Sequence, residues 1–146
     1  MQLDDLYRQV IMDHYQRPRN LGDLEGGTVT VDLRNPSCGD EIRLQLLVED
    51  GIVKDVRFRG AGCSISMSSA SMMTEAIKGK PVAEALRLSH TFRAMVRGED
   101  VDRDDLGDLE ALQGVSKFPA RVKCATLAWQ ALERAVGHDE ADGGTN

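Results

Sequence analysis

Hydrophobic residues recur at two different spacings along the chain, and the changes of spacing predict where helices and strands alternate. Up to Pro18, the apolar and aromatic side chains lie at helical intervals: Leu3, Leu6, Tyr7, Val10, Ile11 and Tyr15. This spacing predicts an amphipathic helix over Leu3–Gln16, because one face of an α-helix repeats about every 3.6 residues and proline interrupts it. A loop containing glycine and asparagine is expected to follow, over residues 20–27.

Alternation of apolar and polar residues then replaces the helical spacing. It predicts three strands, around residues 29–33, 42–48 and 52–58, because successive side chains of a strand point to opposite faces. Asp50 and Gly51 separate the second strand from the third and form a typical hairpin turn. The simplest arrangement is an antiparallel meander.

Helical spacing returns after Gly60-Ala61-Gly62. It predicts four further helices, over residues 64–78, 82–97, 106–112 and 119–136. The acidic segment 99–108 is expected to be exposed, and the polar tail 138–146 to be disordered. This order of elements, one helix followed by strands and then by helices, predicts an α+β fold. We expect a three-stranded antiparallel meander packed with about five to six helices. These elements should form a single domain over residues 1–137.

Composition and charge narrow the classes of function. The 146 residues have a formal net charge of −6, which disfavours binding to nucleic acid. The sequence contains no run of about 18 apolar residues that would span a membrane. Its amino end, Met1-Gln2-Leu3-Asp4-Asp5, lacks the basic start and apolar stretch of a signal peptide. These features predict a cytoplasmic protein, in which three cysteines are metal ligands or reactive thiols rather than disulfides.

The three cysteines carry the candidate chemistry, because each lies near an element boundary or a turn. Cys38 and Asp40 flank Gly39, so a tight turn can aim a thiolate and a carboxylate at one point. Adding Cys63 and Cys124 makes four anionic donors, the number that tetrahedral Zn²⁺ takes. The competing interpretation is that Asp40 only caps a turn and Cys38 is incidental. From the spacing alone, the metal site and the simple turn are equally favoured, because the chain lacks the C-x-x-C pairs of the strong zinc-binding motifs.

The residues around these cysteines add detail without deciding the matter. Cys63 precedes the first turn of a predicted helix, whose dipole favours a thiolate; a glycine-rich turn with a buried thiol is the plainer alternative. Arg121 and Lys123 either begin a solvated helix or offset the negative charge of a thiolate-rich site. For Arg121 we favour the role of offsetting the negative charge of the site. For Lys123 both interpretations stay open.

Other conventional ligands are left out of the predicted site. The methionines of the predicted helix 64–78 are expected to fill the core, and its serines to permit close helix packing. No histidine neighbours a cysteine in sequence, and a structural role is expected for His14. The histidines are His14, His90 and His138.

Four segments resemble SufU-type members of the IscU/NifU-like family of iron–sulfur cluster assembly proteins. They cover residues 6–15, 35–40, 62–67 and 118–124, and the likeness extends over residues 3–136. IscU-type scaffolds carry a histidine directly before the third cysteine, where this chain has Lys123. SufU-type proteins carry an extra segment between the second and third cysteines, and residues 99–113 fit it.

The resemblance implies an IscU-like fold and a zinc-dependent sulfurtransferase. It implies that Zn²⁺ is bound by Cys38, Asp40, Cys63 and Cys124, and that Cys38 accepts persulfide sulfur from a PLP-dependent, SufS-like cysteine desulfurase. The sulfur then passes to a SufBCD-like iron–sulfur assembly complex. Arg121 is expected to assist as a catalytic cation. Two alternatives stay open: a scaffold that binds a [2Fe–2S] cluster or iron through the same thiolates, and a protein-binding module with structural zinc.

Overall fold

A three-stranded antiparallel sheet forms one layer of the fold in the computed structural model, which describes residues 3–27, 29–35, 39–102, 104 and 106–137. The strands are β1 (Val29–Asn35), β2 (Asp40–Glu49) and β3 (Ile52–Ala61). Their order in the sheet is β1-β2-β3, so the predicted meander is confirmed. Strands β2 and β3 extend beyond their predicted limits, toward Asp40 and Ala61, because the two strands stay paired up to Glu41 opposite Ala61.

Helices cover one face of this sheet. They are α1 (Leu3–Gln16), α2 (Ser64–Ile77), α3 (Val82–Val96) and α4 (Pro119–Leu132). Helix α4 packs against β1 and β2, whereas α2 packs against β3, α1 and α4. The α+β class is therefore confirmed, and the bounds of α1 are those that the apolar spacing predicts.

The covered face of the sheet supplies one side of the core. Ile42, Leu44 and Leu46 alternate with exposed or half-buried residues along β2 and are buried beneath the helices. A register shift between Leu47 and Val48 adds one residue to β3. A bulge of this kind changes which residues face inward, so Val53 and Val56 are both buried although they are three residues apart.

Helix α2 is buried on nearly all sides, which its small residues make feasible. Its serines and threonine satisfy their hydroxyl groups on backbone carbonyls: Ser68 donates to Ile65 O, Thr74 donates to Ser71 O, and Ser69 donates to Ala125 O on α4. The methionines Met72 and Met73 are buried in the core, as the sequence predicts. Polar residues thus occupy the centre of the molecule without unsatisfied hydroxyls.

Two helices differ from their predicted extent. The short helix expected around residues 106–112 is a 3₁₀ helix and continues further, over Gly107–Lys117. Its buried residues, with Leu106 before it, recur at intervals of three: Leu106, Leu109, Leu112 and Val115. That interval matches the 3₁₀ helix, which has about 3.0 residues per turn. The last helix does not continue as an α-helix to residue 136; a π-helical turn, Glu133–Gly137, follows Leu132.

Glu133 in that turn is tied to α3. Its carboxylate accepts hydrogen bonds from Ser89 Oγ at 2.6 Å and from Arg93 Nη1 at 2.5 Å. The predicted disordered tail, 138–146, lies outside the described residues, so the boundary at residue 137 stays a prediction. Among the helices that the structure describes, none combines the length and apolar character needed to cross a bilayer.

Candidate metal centre

The centre lies at one end of the sheet, where β1 and β2 are joined. Asn35 at the end of β1 pairs with Asp40 at the start of β2, and Gly39 N–H donates to Asn35 O at 2.8 Å. Gly39 has a φ of 76°, a backbone conformation that glycine adopts without steric cost. The pairing therefore places the Asp40 carboxylate at the sheet's end.

Three potential metal donors converge there from three different elements. Asp40 begins β2, Cys63 immediately precedes α2, and Cys124 lies within α4. One carboxylate oxygen and the two sulfur atoms all lie within 4.8 Å of one another. Asp40 and Cys124 are buried, and Cys63 is partly exposed. The fold thus brings together residues that are far apart in the chain.

Cys63 is held by the start of α2. Its carbonyl accepts the first hydrogen bond of the helix, from Met67 N–H at 3.1 Å, and a further one from Ser66 Oγ at 3.3 Å. Its own N–H donates to Asp40 Oδ1 at 3.2 Å. This bond joins β2 to α2, so Asp40 does more than cap its own turn. The position at a helix N-terminus, where backbone N–H groups favour negative charge, suits a thiolate.

Gly62 leaves the space that the Asp40 carboxylate occupies. A Cβ atom at residue 62 would lie 2.5 Å from Asp40 Oδ1 and 2.5 Å from Ser66 Oγ, far inside van der Waals contact. A side chain here would displace the carboxylate from its place beside Cys63. The absence of a side chain at residue 62 is therefore part of how the donor set is held.

The donor set fits zinc. Two sulfur donors and one carboxylate oxygen are ligands that Zn²⁺ accepts in tetrahedral sites, and thiolates select against Mg²⁺ and Ca²⁺. Neither cysteine takes part in a disulfide among the described residues. Three donors leave one tetrahedral position for a fourth.

The other two predicted site residues are Cys38 and Arg121, of which the structure describes only Arg121. Cys38 lies outside the described residues; along the chain it is two residues before Asp40. Arg121 is exposed in the first turn of α4, three residues before Cys124. Their roles as sulfur acceptor and catalytic cation stay predictions.

A second group of potential donors has a structural explanation. His14 is fully buried, and its Nδ1 lies 2.8 Å from Ser71 Oγ while its Nε2 lies 3.1 Å from Asp108 Oδ2. Glu75 is also near, at 3.9 Å. With Nε2–H donating to Asp108 and the Ser71 hydroxyl donating to Nδ1, both ring nitrogens are satisfied. His14 therefore links α1, α2 and the 3₁₀ helix, consistent with the expected structural role.

Sequence reasoning missed one contact that positions the centre. Ser69 Oγ donates to Ala125 O at 2.6 Å and accepts a hydrogen bond from Trp129 Nε1 at 3.1 Å. Ser69 follows Cys63 by less than two helical turns, and Ala125 follows Cys124 directly. The contact therefore ties the two cysteine-bearing helices together. A serine within a run of serines offers no sequence signal that would single it out.

Comparison with known proteins gives one family and several relatives. Residues 6–125 match the family described as the NifU-like N terminal domain. The chain is 60% identical, over 139 residues, to the zinc-dependent sulfurtransferase SufU of Bacillus subtilis, covering 94% of each protein. It is 47% identical to the iron–sulfur cluster assembly scaffold protein IscU of Streptococcus pyogenes serotype M1, covering 92% of this chain and 84% of the relative.

A solved structure shows the same fold. It belongs to a protein of Fervidobacterium islandicum AW-1 that is proposed as an iron–sulfur cluster assembly scaffold for the SUF system. The superposition has a TM-score of 0.85 at 35% identity and covers 92% of this chain and 98% of the other. The structural likeness spans nearly the whole chain, and the three donors lie within the residues that match the family, 6–125.

Proposed function

Because the chain belongs to the family of the NifU-like N-terminal domain, we propose that it is a zinc-dependent sulfurtransferase of iron–sulfur cluster assembly. The observation that carries this proposal is the convergence of Asp40, Cys63 and Cys124 at one end of the sheet. Cys38, two residues from Asp40 along the chain, is proposed as the fourth donor. The zinc-dependent relative from Bacillus subtilis supports this assignment over a scaffold role.

These four residues would hold the metal, and the three described ones, Asp40, Cys63 and Cys124, already lie together. Bound zinc would keep the cysteine sulfurs deprotonated at neutral pH. The buried Asp40 contributes an oxygen that Cys63 N–H already orients. Such a hydrogen bond to a ligand fixes its direction, as outer contacts do in metal sites generally.

Cys38 is the proposed sulfur acceptor. Its thiolate attacks the outer sulfur of a cysteine persulfide on the donor protein; a new S–S bond forms on Cys38, and the donor cysteine leaves as a thiolate. The persulfide moves without net oxidation, so no further oxidant is needed. Cys38 lies two residues after Pro36 and directly before Gly39, whereas Cys63 and Cys124 are held by helical hydrogen bonds.

Arg121 is proposed to assist as a cation. It is exposed one helical turn before Cys124, and no described carboxylate pairs with it. A positive charge at this place would offset the negative charge of a thiolate-rich centre and of an incoming persulfide.

The proposed partners follow from the transfer step. The donor is a PLP-dependent cysteine desulfurase, which carries its sulfur as a cysteine persulfide, and the acceptor is an iron–sulfur assembly complex. The proposed place of action is the cytoplasm, where reducing conditions keep three thiols free.

Mass spectrometry after mixing the zinc-loaded protein with a cysteine desulfurase and cysteine tests the proposal. We expect one added sulfur atom on Cys38. Cys38→Ala, kept zinc-loaded, is expected to lose the stimulation of sulfide release, whereas a partly zinc-loaded Cys124→Ser variant keeps a share matching its zinc content. If Cys38→Ala stimulates sulfide release nearly as well as wild type, Cys38 is not the sulfur carrier. If the protein forms a coloured cluster when iron is supplied but acquires no persulfide, the scaffold function is favoured.

A further inference from the structure

A large cleft lies beside the metal centre. Its volume is about 1140 Å³, and its apolar walls include Ile11 and Met12 of α1, Ile65 of α2 and Val115 of the 3₁₀ helix. The cleft also reaches Ser64 and Ala120, which adjoin the centre: Ser64 directly follows Cys63, and Ala120 O lies 3.8 Å from Cys124 Sγ. A molecule seated in this cleft therefore lies next to two of the proposed ligands.

The rim of the cleft carries two cations that pair with no carboxylate in the part of the chain that the structure describes. Lys117 and Arg121 line the cleft and are exposed, and neither forms an ion pair with any described residue. Elsewhere the described arginines commonly pair with carboxylates, among them Arg19 with Asp13, Arg43 with Asp32, and Arg59 with Asp23. Glu99, the acidic residue of the described lining, is itself paired with Arg97.

The helix dipole does not explain the position of Arg121, whereas Lys117 lies in the last turn of the 3₁₀ helix, where positive charge is favoured. Arg121 lies in the first turn of α4, where the helix dipole disfavours positive charge. The chain as a whole has a formal net charge of −6, whereas these two cations, which pair with no described carboxylate, make this rim locally positive. An acidic partner surface would be attracted to it.

An exposed aromatic residue lies between the two cations along the chain. Phe118 is 61% exposed, although its backbone is fully used: its N–H donates to Val115 O, and its carbonyl accepts from Arg121 N–H at 2.7 Å. The side chain is therefore not needed to form the turn that starts α4. Exposed aromatic residues beside an apolar cleft are typical of protein interfaces.

We propose that the cleft with its rim of Lys117, Phe118 and Arg121 is the docking surface for the sulfur-donating protein. The donor contributes an apolar side chain that packs against Phe118 in the cleft, and carboxylates that face Lys117 and Arg121. The inference rests on the proposed function, because a persulfide must come within bonding distance of the centre and the cleft adjoins it. Beyond the proposed function, the inference states which chemical groups of the donor protein this chain recognises.

Binding of the zinc-loaded full chain to the cysteine desulfurase of its own cell tests the proposal. Lys117→Glu and Phe118→Ala are each expected to raise the dissociation constant about tenfold, the effect of losing a central interface contact. The maximal rate of persulfide formation at saturating desulfurase should stay unchanged. Added salt should weaken the wild-type complex more than the Lys117→Glu complex, since the charge attraction is already lost there.

Matched variants on other surfaces serve as controls. Lys54→Glu reverses another exposed lysine that has no ion pair among the described residues, and Leu21→Ala removes another exposed large side chain, 51% exposed. Neither residue lines the cleft. All four variants should keep the wild-type zinc content and circular dichroism.

The possible results distinguish a failure of the proposed docking surface from a failure of the proposed sulfurtransferase function. If Lys117→Glu and Phe118→Ala bind like the two controls, or if wild type does not bind the desulfurase, the docking surface is wrong. If these variants weaken binding but wild type acquires no persulfide, the docking surface stands and the sulfurtransferase function fails.

Discussion

Gly62 is the residue whose missing side chain shapes the centre most directly. Its position would place a Cβ atom 2.5 Å from both Asp40 Oδ1 and Ser66 Oγ. Neither atom can yield easily, because Asp40 is buried and Ser66 is bonded to Cys63 O. The effect of a substitution here should therefore fall on the metal ligand rather than on the backbone.

We expect Gly62→Ala to hold zinc about 10–100 times more weakly, the range seen when contacts that orient a ligand are disturbed. Competition with a chromogenic chelator measures this affinity. Gly114→Ala is the matched control, because nothing lies within 4 Å of a Cβ atom there. Equal zinc affinities in the two variants would mean that Asp40 is not held in place by Gly62.

Asp40 itself separates a metal ligand from a structural carboxylate. Asp40→Asn keeps the size of the side chain and an oxygen that can accept from Cys63 N–H, but removes the charge. If Asp40 binds the metal, Asp40→Asn should release zinc to a chelator at least about tenfold faster than wild type, because metal affinity depends on a deprotonated ligand. Zinc release at the wild-type rate, measured alongside Asp40→Ala, would return Asp40 to the role of a turn residue.

At the scale of elements, the junction between α2 and α4 decides how far apart the two cysteines lie. Ser69 on α2 bonds both Ala125 O and the indole N–H of Trp129 on α4. Trp129 is fully buried and stacks on Phe92 of α3, with ring centroids 4.9 Å apart. One hydroxyl group therefore satisfies two buried groups of a neighbouring helix.

Ser69→Ala should lower the free energy of unfolding by about 1–3 kcal/mol, because it leaves a buried N–H and a carbonyl without this partner. Ser68→Ala is the control: Ser68 is equally buried, but its hydroxyl bonds only Ile65 O within its own helix. Urea unfolding of both variants, with zinc bound, makes the comparison. A smaller loss in Ser69→Ala than in Ser68→Ala would contradict the role of this junction.

At the scale of the whole molecule, the proposed zinc site joins the sheet to two helices. Asp40 belongs to β2, Cys63 caps α2, and Cys124 belongs to α4. A ligand bound across separate elements stabilises the folded state over the unfolded one, since the unfolded chain does not assemble the site. The core beneath consists mostly of apolar residues other than the proposed ligands, although Cys124 belongs to it.

Removal of zinc should therefore loosen the molecule without unfolding it. We expect the Tm to fall by on the order of 10 °C for tight zinc binding, and hydrogen exchange to rise first near residues 39–42, 60–66 and 118–124. Calorimetry and exchange mass spectrometry measure the two effects. A chelator should leave the Tm of Cys63→Ser unchanged; an equal fall in that variant would show that the stabilisation comes from elsewhere.

Much of the fold was determined by the sequence alone, because the responsible forces are local. The apolar spacing of residues 3–15 predicts α1 with its observed bounds, and Asp50-Gly51 predicts the hairpin between β2 and β3. The start of α2 directly after Cys63 also follows from the change of spacing. The 3₁₀ helix had a local signal too, in the interval of three between Leu106, Leu109, Leu112 and Val115, but short apolar repeats at three and at four are easily confused.

Only the tertiary structure decided that Asp40, Cys63 and Cys124 meet. Their spacing along the chain is compatible with a metal site and with three unrelated turns, and family resemblance supplied the choice. The meeting depends on non-local contacts: β2 pairing with both neighbours, the Ser69 junction between α2 and α4, and the space left by Gly62. That Lys117 and Arg121 pair with no described carboxylate likewise became evident only in three dimensions, because the fold decides which charges lie next to each other.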